Sequence, residues 1–211
     1  MKDKILILSP HTDDAELGCG ASIVKFVEEG YEILWVVFST AEESLPKSLP
    51  KGTLKKEFLN VIKHLNLKKR NYKIYNFRVR HLHENRQDIL EELIKLRDEF
   101  NPDLVVIPSL SDYHQDHRVV ANEGVRAFKT SASIIGYELP WNHITFHTNL
   151  FIKLDKHHIE EKFQLLQNYK SQFLKKRGYF SREYVFGLAK VRGIQCNAEY
   201  AEAFGVIRWI I

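Results

Sequence analysis

The chain has 211 residues, 44% of them hydrophobic, and 31 Lys and Arg against 27 Asp and Glu, for a net charge of +4. That hydrophobic share is enough for one substantial core, and the length suits a single domain spanning residues 1–211. The small basic excess is interleaved with acids along most of the chain, which argues against a nucleic-acid partner, and no run approaches the ~20 apolar residues of a membrane span.

In "MKDKILILSP" only four apolar residues precede Ser9 and Pro10, too few for a secretory h-region, so a soluble, cytoplasmic protein is expected. The two cysteines, Cys19 and Cys196, do not suggest a disulfide scaffold, although they leave one bridge open. The densest basic stretches, 63–70 and 175–177, are read as helix caps or solvent-facing positions.

The first half alternates strand-like and helix-like segments. Residues 4–9 are a short apolar run, 15–30 carry helical spacing up to Gly30, and 31–39 form the next buried strand. A proline-containing loop over 40–52 leads to an amphipathic helix over 53–67, with Leu54, Phe58, Leu59, Ile62 and Leu65 on one face. A strand is expected over 72–77 and a helix over 86–100, which Asn101-Pro102 terminates because the residue before proline avoids the helical region. Residues 103–109 read as another buried strand. The second half is less regular, with helices expected over 118–130, 159–173 and 182–195 and strands over 133–140, 149–154 and 200–210. This rhythm predicts an α/β fold, a Rossmann-like, mostly parallel sheet with helices on both faces. Ligands bind such sheets outside the carboxyl ends of the strands, which places "SPHTDD" and "PSLSDYHQDH" at one rim.

Both motifs are rich in metal-ligand chemistry. His11 and Asp14 are three apart at a strand-to-helix turn and can converge on one ion, leaving Asp13 to aim elsewhere, toward a water. Capping of the following helix by Asp13 or Asp14 is the competing role. "HQDH", residues 114–117, supplies two more histidines, one as a third ligand and the other free for acid–base work, with Asp116 able to orient an imidazole.

"PHTDDAELGCG" followed far downstream by "HQDH" resembles the PIG-L / LmbE-like family of zinc-dependent N-acetyl amino-sugar deacetylases, and residues 85–109 and 200–208 are similar to it as well. The resemblance implies zinc ligands His11, Asp14 and His117, with Asp13 as general base. It also implies that His114 serves the oxyanion or leaving group and that Asp116 orients its neighbouring imidazole. The cofactor it implies is Zn²⁺, although Fe²⁺ also accepts such ligands. The substrate implied is a small acetylated amino sugar, free, nucleotide-linked or glycosidically attached. Family members often self-associate, which makes a homo-oligomer a further expectation. The sequence departs from some members at 40–52, where an arginine expected after the second strand is missing and Glu42 and Glu43 stand in its neighbourhood.

Four further residues are candidate substrate contacts: Arg86, Trp141 (through stacking on a sugar face), Tyr200 and Glu202. Gly18 and Gly20 read as close helix-on-strand packing, Cys19 as a small buried residue, and His81, His83, His157 and His158 as surface groups. Two alternatives to the deacetylase reading keep the fold: a metal-dependent amidase or esterase on a non-sugar substrate, and a non-catalytic sugar-binding module.

Overall fold

The computed structural model describes residues 3–211. Its frame is a seven-stranded sheet built from β1 (Lys4–Ser9), β2 (Glu32–Val37), β3 (Tyr72–Ile74), β4 (Leu104–Pro108), β5 (Ser133–Tyr137), β6 (Leu150–Leu154) and β7 (Tyr200–Arg208). The spatial order is β3-β2-β1-β4-β5-β7-β6. The first five strands run parallel, whereas β7 pairs antiparallel with both β5 and β6.

The helices are α1 (Asp14–Glu28), α2 (Thr53–His64), α3 (Arg86–Phe100), α4 (Gln115–Phe128), α5 (Lys156–Leu166), α6 (Lys170–Phe173) and α7 (Arg182–Gln195). Side-chain alternation explains why the parallel strands read as continuous apolar runs. Ile5, Ile7, Ile33, Trp35 and Val37 enter a core shared with α1, α2, α5 and α7, while Leu6, Leu8, Leu34 and Val36 enter a second core with α3 and α4. Strands covered on both faces need apolar residues at every position.

Chain order and spatial order part company between β1 and β4. The chain leaves β1 through α1 toward β2 and β3, then crosses back through α3 to reach β4 on the other side of β1. The segments that follow β1 and β4 therefore diverge and leave a crevice at the strand ends, the usual ligand position in open α/β sheets.

Some boundaries differ from the sequence expectation. β3 ends at Ile74 instead of continuing to residue 77; beyond it Tyr75 and Phe77 still donate to the carbonyls of Val37 and Phe38 as irregular extended chain. The helix expected over 159–173 is two helices. The Asn168 side chain donates to the carbonyls of Gln164 and Leu165 and competes with helix continuation, so Tyr169 leaves the helical path. α5 also begins earlier, at Lys156, because Asp155 and His158 form a reciprocal capping box; His158 is buried by this role.

α1 is not continuous either. At Cys19 the backbone leaves helical geometry (φ −146°, ψ 27°). The break exposes a helix C-terminus and a helix N-terminus inside the core, and a buried ion pair satisfies both. Lys162 Nζ donates to the Leu17 carbonyl at 2.8 Å and to Glu202 at 2.7 Å. Glu202 in turn accepts from the amides of Ala21 (3.2 Å) and Ser22 (2.7 Å) and from the Ser22 hydroxyl (2.6 Å). The N-terminal part of α1 lies so close to β5 that a Cβ on Gly18 would stand 2.3 Å from Tyr137 Cδ2, so this position requires glycine.

Both cysteines are free thiols, Cys19 buried and Cys196 partly so. Among the described residues no helix is long and apolar enough to cross a membrane.

Candidate metal centre and active-site cleft

The two motifs meet at the crevice. His11 follows β1, Asp14 opens α1, and His117 lies in the first turn of α4, which starts at Gln115, earlier than the periodicity suggested. Asp14 Oδ2 is 3.0 Å from His11 Nδ1 and 3.2 Å from His117 Nε2. These three groups are all buried, and each offers a ligand atom within 4.8 Å of the other two.

The other nitrogen of each imidazole is held by a carboxylate. His11 Nε2 faces Asp116 Oδ2 at 2.9 Å, and His117 Nδ1 faces Asp112 Oδ2 at 2.7 Å. Each carboxylate therefore accepts a hydrogen bond from the nitrogen it faces and turns the opposite nitrogen toward Asp14, the arrangement that orients histidine ligands. A second triplet, His11, His114 and Asp116, is equally compact. Its donors are already committed: Asp116 accepts from the amides of Arg80 (2.6 Å) and Leu82 (3.4 Å), and His114 Nδ1 accepts from the Asp116 amide at 3.2 Å. The set His11, Asp14 and His117 thus has the donor chemistry of a two-His, one-carboxylate site for a divalent cation.

Electrostatics agree. Burial opposes charge on His11 and His117, yet the Asp14 carboxylate and the hydrogen-bonded carboxylates prevail and raise them to about 9 and about 10. Burial likewise opposes ionisation of Asp14, but the charges of His117 and His11 hold it well below the usual carboxylate range. The cluster calls for positive charge at its centre.

Asp13 occupies the N-cap position of α1 but makes no capping bond, so helix capping does not account for it. Its carboxyl lies on the cavity floor, pushed up to about 6 by burial and by the Asp14 charge. His114, the N-cap of α4, has its Nδ1 occupied by the Asp116 amide, which leaves the proton on Nε2. Burial and the neighbouring His117 and His11 push it down to about 4, so it is a neutral donor. Its ring centroid lies 4.5 Å from that of His117.

The loop that carries these groups is tied down from the far side. Tyr169, freed from the helix by the break after α5, has its hydroxyl 2.5 Å from both the Thr12 carbonyl and Glu16 Oε1. One hydroxyl proton cannot serve two acceptors; both contacts are satisfied when Glu16 is protonated and donates, and burial raises its carboxyl well above the ordinary range.

A cavity of about 240 Å³ opens above the cluster, smaller than the ~300–1,000 Å³ of pockets that enclose drug-sized ligands. His11, Asp13, Asp14, His114 and His117 form its floor. Trp141 stands on its wall, stacked on Tyr179 with centroids 3.8 Å apart and planes 11° from parallel.

The other three candidate contacts do not line this cavity. Arg86 lies between α3 and α4, 3.4 Å from the buried Glu123. Tyr200 packs edge-on against Phe186, centroids 5.9 Å apart. Glu202 serves the α1 break described above. Of the two glutamates in the 40–52 loop, Glu42 accepts from the Gly52 amide at 2.7 Å, and Glu43 pairs with Arg78 at 2.7 Å; the same loop lends Ala41 and Ser44 to the cavity wall. Asp116 contacts His11 from the other motif, not a neighbouring imidazole of its own motif as the resemblance implied. The residue that holds His117 is Asp112, which sequence reasoning missed. Its only signal was a second acid in "SDYHQDH", placed just ahead of the histidine pair.

A seven-stranded α/β sheet with this cluster at its switch point defines a class of proteins with one His/Asp metal-ligand set at the strand ends. Within that class the chain belongs to the PIG-L family (GlcNAc-PI de-N-acetylase), whose pattern matches residues 6–128. It is similar to an uncharacterized deacetylase, YaiS, of Escherichia coli K12, 28% identical over 172 residues that span 79% of this chain and 90% of the relative. Two solved structures share the fold. The N,N'-diacetylchitobiose deacetylase of Pyrococcus horikoshii superposes with a TM-score of 0.79 at 21% identity, covering 97% of this chain and 84% of the other. The 4-carboxy-2-hydroxymuconate hydratase GalB of Pseudomonas putida KT2440 superposes with a TM-score of 0.81 at 18% identity, over 100% and 98% of the two chains. A deacetylase and a hydratase on one frame show that the reaction must be argued from the site.

Proposed function

We propose that this protein is a divalent-metal-dependent hydrolase that removes the acetyl group from an N-acetylated amino sugar, with Zn²⁺ as the cation. The observation that carries the reading is the convergence of His11 Nδ1, Asp14 Oδ2 and His117 Nε2 on one point, beside an uncommitted carboxylate, Asp13, at the floor of a cavity. Family membership adds the acyl-transfer chemistry, and the relatives named for deacetylation make an acetamide the preferred bond.

His11, Asp14 and His117 would hold the cation, which when bound supplies Lewis acidity that brings the pKa of water toward neutrality. The remaining work falls to the chain's own residues. Asp13 takes a proton from the water as its oxygen attacks the acetamide carbon. His114 Nε2–H donates to the carbonyl oxygen as negative charge develops there, and it does so as a neutral imidazole. When the carbon–nitrogen bond breaks, the proton held by Asp13 passes to the departing nitrogen, giving acetate and a free amine. Asp112 and Asp116 keep the two ligand imidazoles in the tautomers this requires.

The experiment is metal analysis of purified protein combined with acetate release from N-acetylglucosamine derivatives. Stoichiometric metal together with acetate release is the expected result. Metal with hydrolysis confined to non-sugar amides or esters would replace the substrate class, and absence of metal after reconstitution with Zn²⁺ or Fe²⁺ would remove the mechanism.

A further inference from the structure

The basic stretch at 175–177, expected to face solvent, contributes two of its three residues to the catalytic cavity: Lys175 and Arg177. They stand on the segment between α6 and α7, and among the cavity-lining residues they are the only lysine or arginine. The carboxylates of that lining, Asp13 and Asp14, are both on the floor. Among the described residues neither cation sits within ion-pair distance of a carboxylate, whereas Arg78, Arg126 and Arg192 are each paired.

The local backbone is shaped for this placement. Lys176, between the two, adopts a left-handed conformation (φ 50°), which is unfavourable for a residue with a side chain. Arg177 donates to the Tyr179 hydroxyl, and its guanidinium lies 5.6 Å from the Tyr179 ring centroid. Tyr179 is itself stacked on Trp141, so the guanidinium is anchored to the aromatic wall of the cavity. Lys175 is partly buried, and burial together with the Arg177 charge holds its ammonium below the ordinary lysine range. Asp13 and Glu57 act on Lys175 only from beyond ion-pair distance, so two like charges on one wall, neither in direct contact with a carboxylate, are stabilised by an anion supplied by a ligand.

We propose that Lys175 and Arg177 are specificity-determining residues that bind an anionic substituent, a phosphate or a carboxylate, carried by the acetylated amino sugar. This rests on the deacetylase reading of the same site and narrows it. The acetamide reaches the floor beside Asp13, and the charged substituent projects toward the wall formed by Lys175, Arg177, Tyr179 and Trp141.

The test compares kcat/KM of the metal-loaded enzyme on the neutral methyl glycoside of N-acetylglucosamine with that on its 1-phosphate, its 6-phosphate and N-acetylmuramate. At least one anionic substrate is expected to exceed the neutral one by about tenfold or more, an advantage that shrinks as ionic strength rises. In Lys175→Met/Arg177→Met the anionic-to-neutral ratio collapses by a similar factor, and in Lys175→Arg it is kept. Equal rates on all four substrates, or a ratio unchanged in the double variant, overturns the proposal. A second readout is calorimetric binding of glucosamine 6-phosphate, glucosamine 1-phosphate and glucosamine to the wild type and the double variant. If no acetylated sugar is hydrolysed, the deacetylase reading fails. The anion wall is then judged by that binding difference: its loss in the double variant supports the wall, and its absence in the wild type removes it. A melting curve of the double variant that matches the wild type shows that the ratio reflects recognition, not misfolding.

Discussion

Two buried charged clusters in this molecule look alike in composition and differ in purpose. One joins His11, Asp14, Asp112, Asp116 and His117 at the rim between β1 and β4; the other joins Lys162, Glu202 and the broken helix α1. Both bring together distant stretches of chain, and both are almost completely buried. In the second, every charged atom is answered by protein: the ammonium by a carbonyl and a carboxylate, the carboxylate by two amides, a hydroxyl and the ammonium. In the first, acceptors outnumber fixed positive charge and one side opens onto a cavity. A closed cluster of this kind holds the fold; an open one that converges on a point is equipped for chemistry.

That contrast predicts opposite phenotypes. The largest effect is expected for His117→Ala, which removes a ligand of the open cluster. Metal content measured by atomic absorption should fall to background, and turnover by about 10³-fold or more, given the several kcal/mol of transition-state stabilisation a metal supplies. Retained metal at wild-type stoichiometry would mean that the ion sits elsewhere. Asp13→Asn follows. It keeps the three ligands and loses the proton acceptor, so turnover should drop roughly 10²- to 10⁴-fold with metal retained. A wild-type rate in this variant would sink the role assigned to Asp13.

The closed cluster should answer in stability instead. Glu202→Ala leaves the Lys162 ammonium and the amides of Ala21 and Ser22 without their partner, at a cost of about 3–5 kcal/mol in a denaturant titration. The more revealing variant is Lys162→Met/Glu202→Leu. Apolar replacement of a buried ion pair is often neutral, but here the Leu17 carbonyl and two amides at the break in α1 stay orphaned, about 1–3 kcal/mol for each lost partner. If the double variant is as stable as the wild type, the ion pair is a spectator and the account of the α1 break is wrong.

The same contrast explains what the sequence made legible. The parallel half was readable because strands buried on both faces must be apolar throughout, and because the two motifs follow two such strands. Asp13, Asp14, His114 and His117 stood out as chemistry without an apolar reason to be there. Glu202 stood out in the same way, and one residue type gives no sign of whether its cluster is open or closed. That depends on Lys162 and on the break at Cys19, which has no mark in the sequence beyond the glycines beside it. Tyr169 was hidden for a related reason: periodicity runs through 159–173 without interruption, and only the competing side chain of Asn168 stops the helix there. Lys175 and Arg177 were passed over because a short basic run usually is solvated.

The smallest predicted effect tests the finest distinction, between the two carboxylates behind the ligand histidines. Asp112→Asn replaces the acceptor of the His117 Nδ1 proton by an amide that can still accept, but without charge, and Asp116→Asn does the same behind His11. Each should weaken metal affinity by about 10- to 100-fold, measured by competition with a chelator, while the protein stays folded. The two are not equivalent. Asp116 also accepts from the amides of Arg80 and Leu82, so its replacement loosens the segment after residue 79 and should lower the melting temperature as well. Asp112 accepts from the His114 amide and the Asn142 side chain, both at the cavity, so Asp112→Asn should shift turnover beyond what the metal loss explains. Equal melting temperatures for the two variants, with equal turnover once both are saturated with metal, would mean that the carboxylates act only by turning imidazoles.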